Sequence, residues 1–321
     1  MTELRQKVKN AVNETRILVL GSQILIGFQF QSAFREGFDQ LTAHDRFADL
    51  IALALMLAAV ASLIAPSAFH RIVEGGEDSG RLHRFTTIMA TFALLPFALS
   101  FGLNILIAID RTYGPGAGIG AGIVTLSVAF FLWYGLEFMR REKLGRKERA
   151  MAQKQSERRE RTPLPIKIEQ MLIEARVILP GAQALLGFQL AIVMTQSFDE
   201  ISATSKLVHL VGLCLVTLTV ILLMAPAAYH RLVYAGEDTN EFHRAGSLFV
   251  TAATVPLALG IAADVYVVVE KIAKASPVAL VFAGVSVAGF IGLWHVYPLI
   301  LRLRSDAARA EHSEVPKGLS L

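Results

Sequence analysis

Cysteine is almost absent: Cys214 is the only one in 321 residues. A disulfide within the chain is therefore impossible, and paired-thiol redox chemistry is excluded. Charge is also scarce, since Asp, Glu, Lys and Arg make up 18% of the residues against about 25% in soluble domains. Several catalytic signatures are missing as well. There is no GxxxxGK[ST] phosphate loop, no HExxH zinc helix, no CxxC and no GxSxG nucleophile elbow. The glycine run GPGAGIGAG at Gly114–Gly122 imitates a dinucleotide fingerprint, but it follows an apolar helical stretch instead of a strand. It reads as a turn leading into a small-residue helix face. These absences nominate no catalytic residue, call for no cofactor, and lean away from an enzyme.

What the chain does contain is apolar sequence in long blocks. Hydrophobic residues reach 54%, and the mean hydropathy is +0.50. Met56–Phe69, Phe85–Ile109 and Tyr113–Leu136 carry no charge. About 20 such residues cross a hydrocarbon layer of about 30 Å, so the composition describes an all-α integral membrane protein in contact with a lipid bilayer. The opening MTELRQKVKNAVNETR mixes acids and bases and has no small-residue cleavage site, so no cleaved leader is expected. The net charge of +4 fits basic loops facing the cytoplasm better than a nucleic-acid partner.

The chain is written twice. Shifting it by 160 residues aligns Val12–Asp110 with Leu172–Glu270 without a gap, and 32 of the 99 pairs are identical. Each copy predicts four membrane segments, giving eight transmembrane helices as two parallel four-helix repeats. In the first copy they are Ile17–Phe34, Phe47–Phe69, Phe85–Ile109 and Gly116–Met139; in the second, Val177–Thr195, Leu207–Tyr229, Ala245–Val269 and Pro277–Leu301. The expected domains are a first repeat over 1–141, a linker over 142–165, a second repeat over 166–304 and a tail over 305–321. Four crossings are even, so both copies enter from the same side. Residues 140–167 hold eleven Lys or Arg against four Glu. Placing that stretch in the cytoplasm puts 25 of the 31 basic residues inside, with both termini. The same basic stretch is a candidate for anionic lipid headgroups, beside its plainer role as a topology anchor.

The most repeated text is polar. APSAFHRIVEGGEDSGRLHR (Ala65–Arg84) returns as APAAYHRLVYAGEDTNEFHR (Ala225–Arg244). It forms the turn between the second and third segments of each copy. His70-Arg71 and His230-Arg231 stand where a helix ends and its dipole favours cations; Glu77-Asp78 and Glu237-Asp238 stand where the next begins. Asp78 and Asp238 are the expected N-caps. His83-Arg84 and His243-Arg244 follow in the next helix. Glu14, Arg16, Glu174 and Arg176, at the start of each first segment, belong to the same cytoplasmic rim. The persistence of His70, His83, His230 and His243 leaves three readings open: interfacial packing, a pH-responsive charge cluster, or a metal site.

Within the membrane, Arg16, Gln23 and Gly27 share a helix face, as do Arg176, Gln183 and Gly187. Gln23 and Gln183 are expected to join helices by hydrogen bonds, or else to line a polar path. Pro96 and Pro256 kink the third segments. Asp264 is the most embedded acid, placed near the outer end where it reaches water.

Glu14, Arg16, Gly21, Gln23, Phe28 and Ala65-Pro66 with Ala68-Phe69-His70-Arg71 carry a pattern that resembles an uncharacterised bacterial integral-membrane family, a domain of unknown function with four transmembrane helices. Glu174, Arg176, Gly181, Gln183, Phe188 and Ala225-Pro226 with Ala228-Tyr229-His230-Arg231 carry it again. The resemblance implies the bacterial inner membrane and no activity; the fusion of two copies implies that single-copy relatives pair as homodimers. Three functions stand: a structural or regulatory membrane protein, a channel or transporter with its path between the copies, and a metal-binding membrane protein.

Overall fold

The computed structural model describes residues 3–135, 162–232, 234 and 237–313, with the side chains of 3–17, 132, 135, 231–232, 306 and 308–313 outside the description. Among the described residues there is no strand. The first half comprises α1 (Glu3–Ser32), α2 (Ala43–Ile72), α3 (Gly80–Tyr113) and α4 (Pro115–Phe130), the last running into a π turn at Phe131–Gly135. The second comprises α5 (Leu164–Val193), a short α6 (Gln196–Glu200), α7 (Ala203–Leu232), α8 (Asn240–Ala273) and α9 (Ser276–Ile291). A second π turn at Gly292–Val296 joins α9 to α10 (Tyr297–Ser313).

Among the described residues six stretches are long and apolar enough to cross a membrane: Ala43–Ile72, Gly80–Tyr113, Leu164–Val193, Ala203–His230, Asn240–Ala273 and Ser276–Ser305. Two of the eight expected segments fall outside this set. In α1 only Ile17–Ser32 follows the last charge, which at 1.5 Å per residue is about 24 Å. The fourth segment has 16 residues in α4, and its expected end at Met139 lies outside the described residues. The linker 142–165 is outside them too, apart from its last four residues.

Local chemistry sets the ends. Thr42 Oγ1 accepts from Asp45 N–H at 3.1 Å and opens α2; prolines at the first turn open α4 and α9. Gly114, at φ 89°, makes the sharp joint between α3 and α4. Gly118 and Gly122 then press against α3, where a Cβ would meet Leu106 O at 2.8 Å and Gly102 O at 3.1 Å respectively. The glycine run is a close-packing helix face.

α2 and α8 form the centre, while Ser276–Ser305 is peripheral: 78% of the apolar window of α8 is buried against 11% there. The two halves meet along α1 and α5, where the Phe28 and Phe188 rings lie 4.6 Å apart. A second tie is Trp294, fully buried beside α2, whose Nε1 donates to Ala61 O at 2.8 Å. Outside, Leu207, Ile221, Leu248, Leu280, Val281 and Val285 are all more than half exposed. This apolar mantle is the surface a bilayer covers.

Candidate functional site at the rim between the halves

α2 ends with Val73 N–H bonded to Phe69 O at 2.9 Å. The chain then turns through Gly75 and Gly76 at φ 60° and 81°, a conformation glycine adopts without strain. Asp78 and Asp238 are not the N-caps. Ser79 Oγ accepts from Leu82 N–H at 3.0 Å and Thr239 Oγ1 from Phe242 N–H at 3.1 Å. A hydroxyl one residue later takes the capping role, which leaves the preceding carboxylate for other partners.

Those partners belong to the second half. Glu174, on α5, accepts from His70 Nδ1 at 2.6 Å and forms an ion pair with Arg71 Nη2 at 2.6 Å. Arg71 also donates to Met171 O at 3.2 Å. The three side chains are only 6–7% exposed. Because an ionised carboxylate only accepts, the His70 proton sits on Nδ1. Asp78 Oδ1 accepts from Gln170 Nε2 at 2.9 Å, and Asp78 N–H donates to Thr162 Oγ1 at 3.0 Å. Glu77 accepts from Lys167 Nζ at 2.5 Å and from Thr162 N–H at 2.6 Å. His243, at the start of α8, lies over the turn, its Nε2 3.1 Å from where a Cβ on Gly76 would stand. The first motif thus grips the second half at four points.

Partial burial alone raises the Glu77 carboxyl, but the Lys167 and Thr162 hydrogen bonds and the lysine charge outweigh it. The net result holds Glu77 below its ordinary 4.5. A depressed carboxyl contributes stability in full above its unfolded value, and loses it as pH falls through the lower folded one. Acid titration of thermal stability is expected to show a loss below pH 4.5 that Lys167→Met removes; an unchanged acid limb in that variant refutes the contact.

The other expected rim residues are more scattered. His230 Nε2 lies 3.7 Å from Asp238 Oδ1, and its ring stacks on Phe242 at 4.4 Å. His83 sits in the first turn of α3 and its carbonyl accepts from Thr87 Oγ1 at 2.9 Å. Arg84, Arg176, Glu237 and Arg244 are exposed. The side chains of Glu14, Arg16 and Arg231 lie outside the described residues. Among the described residues no group of three or more His, Cys, Asp or Glu is placed to hold a metal. His70 already faces Glu174, and His230 faces Asp238.

The first-helix faces meet unequally. Gln23 is buried, and a Cβ on Gly181 would overlap its side chain; a Cβ on Gly27 would overlap the Phe188 ring. Gln183 is exposed, and nothing stands within 4 Å of a Cβ on Gly187. Gln23 and Gly27 thus pack directly on α5, whereas Gln183 and Gly187 do not pack on α1. The glutamines that join helices through their side chains lie further along the chain. Gln29 Nε2 donates to Ser100 Oγ at 3.2 Å, and Gln189 Nε2 donates to Asp264 Oδ2 at 2.7 Å.

Asp264 does not reach water: it is 2% exposed. His209 Nδ1 lies 3.6 Å from its Oδ1, and His209 Nε2 bonds Gln189 O at 3.0 Å. Further along α7 and α8, Ser205 Oγ donates to Glu270, whose other oxygen accepts from Ser276 Oγ at 3.2 Å. The 160-residue shift maps His209 onto Asp49 and Asp264 onto Asn104, both polar. Asp49 too is buried. Sequence reasoning passed over His209 and Asp49 because each lies inside an apolar segment. Their signal was a position kept polar in both copies.

A chain whose described residues are all-helical, with six spanning-length apolar helices, an apolar mantle and polar groups gathered at the rim and in buried clusters, is a multi-pass membrane protein. It belongs to DUF6328, a family of unknown function whose model matches twice, at residues 2–137 and 153–298. No curated protein and no solved structure matches the chain.

Proposed function

We propose that this is a non-enzymatic membrane protein, structural or regulatory, in which two parallel four-helix units are clasped at one rim. The observation that carries this reading is Glu174, engaged by His70 and Arg71 from the other unit. The first copy of the polar motif binds unit to unit. Contact between the Gly76 turn and His243, each at the motif end of its own unit, supports the parallel arrangement. Eight membrane helices, a bacterial inner membrane and a cytoplasmic rim with both termini are the topology we assign, on the Lys and Arg distribution.

A protease site inserted within 142–165 tests the clasp. After cutting in mild detergent, the halves are expected to elute together. Phe28→Cys with Phe188→Cys, in a Cys214→Ser background, is expected to join them covalently on oxidation. Halves that part on cutting and never cross-link end this reading.

A second reading has its own observation. The buried Gln189–His209–Asp264 array, with the half-buried Ser205–Glu270 pair beyond it, forms a polar string inside the second unit. Ionisable groups at membrane depth mark ion or proton routes. Such a route runs within a unit, away from the packed seam between units.

A further inference from the structure

Beside the clasp lies a cleft of about 810 Å³, walled by the first motif turn, the start of α5, the start of α8 and α10. We propose that it is a binding site for a phosphate-bearing anion. Its basic lining is His70, Arg71, Lys167, His243, Arg244 and Arg302, against the two acids Glu174 and Glu241. Glu174 is taken up by His70 and Arg71, and Glu77 holds Lys167 from outside the lining. Arg244 pairs with no carboxylate among the described residues, and its side chain is exposed.

Two buried nitrogens point to a missing partner. His70 is 6% exposed, and its Nε2 has no hydrogen-bond partner; neither has Arg71 Nε. Both residues line the cleft. With the His70 proton on Nδ1, its Nε2 is an acceptor, so the free buried donor at the cleft is Arg71 Nε. The 34-residue helix α8 also opens here, through Asn240 and Glu241, and its N-terminal dipole favours an anion. Guanidinium forks match the several oxygens of a phosphate group better than they match a halide.

The cleft is larger than one phosphate ion. Met171, Ala245 and Leu248 supply an apolar wall, and Leu248 is 69% exposed to the outer face. A phosphate that carries an organic group fits this division: oxygens on the arginines, carbon along Leu248. An anionic phospholipid headgroup and a soluble phosphate share that chemistry.

Thermal unfolding of the full chain in neutral detergent separates them. One arm titrates inorganic phosphate at constant ionic strength against chloride; the other titrates phosphatidylglycerol against phosphatidylcholine in mixed micelles. The wild type is expected to gain stability with phosphatidylglycerol, with phosphate, or with both. A response to lipid alone assigns a headgroup; a response to phosphate as well assigns a soluble source. Arg244→Gln and Arg302→Gln leave the Glu174 clasp intact, and each is expected to weaken the apparent affinity about tenfold. Lys206→Gln, at the opposite end of α7, is expected to change nothing. No stabilisation in either arm, equal stabilisation by chloride, or full affinity in the double arginine variant overturns the proposal.

Discussion

Glu174→Ala is expected to lower the stability of the detergent-solubilised protein by about 3–5 kcal/mol, the usual cost of removing one partner of a buried pair. The reason lies in what remains. Arg71 cannot shed its proton, and its side chain is 6% exposed with Nε already unpartnered. Removing Glu174 leaves that cation enclosed with only Met171 O as acceptor. Chemical unfolding followed by helix content measures the loss, and a change below about 1 kcal/mol would place the pair among weakly contributing surface bridges. A triple variant, His70→Leu with Arg71→Met and Glu174→Leu, isolates the role. Replacing a whole buried charge group by apolar residues is often neutral, so this variant is expected to recover most of the lost stability. If the clasp only holds units together, the cut halves of the triple variant stay associated. If they separate while the intact chain remains stable, the charges supply specificity between units.

The second large effect is expected at Asp264. Asp264→Leu deprives Gln189 Nε2 of its acceptor and leaves His209 without its neighbouring carboxyl. Each buried polar group left unsatisfied costs about 1–3 kcal/mol. Asp264→Asn keeps an acceptor oxygen in the same place, and the first unit already carries Asn104 there. Stability close to wild type is therefore expected for Asn, and a clear loss for Leu. Proteoliposomes give the functional readout. If the string conducts protons, Asp264→Asn abolishes a pH-driven flux while the fold survives. If neither protein shows flux, the array is structural and the route reading fails.

Much of this was legible in one dimension, and the reasons differ by residue. The uncharged runs identify membrane-spanning lengths because hydrocarbon thickness sets a minimum number of apolar residues. The 160-residue shift shows Glu14 and Glu174 at the same end as the His-Arg motifs, so a rim cluster was foreseeable. Which carboxylate met which histidine was not. The motif's helix-end positions account for its charges locally, and that local account is complete enough to hide the long-range one. Asp78 shows the limit: as a capping type at a helix start it read as the N-cap, yet Ser79 is a capping type one residue later. Only the path of the turn decides between adjacent candidates. Gln23 and Gln29 present the same difficulty. Both are buried glutamines on α1, and only the neighbours brought by folding give Gln29 a hydroxyl partner on α3 and Gln23 a glycine surface on α5.

By itself the sequence determined the all-helical membrane class, the duplication and the rim address of the polar motif. Those rest on counts, spacing and composition, which a linear chain displays in full. The tertiary structure alone decided that the first motif closes on the opposite unit, that Gln23 and Gly27 of α1 pack on α5, and that His209 and Asp264 share one buried place. Each of these depends on which helices lie side by side. Residues 104 apart, as His70 and Glu174 are, come within 2.6 Å only through packing, and no periodicity along the chain records it.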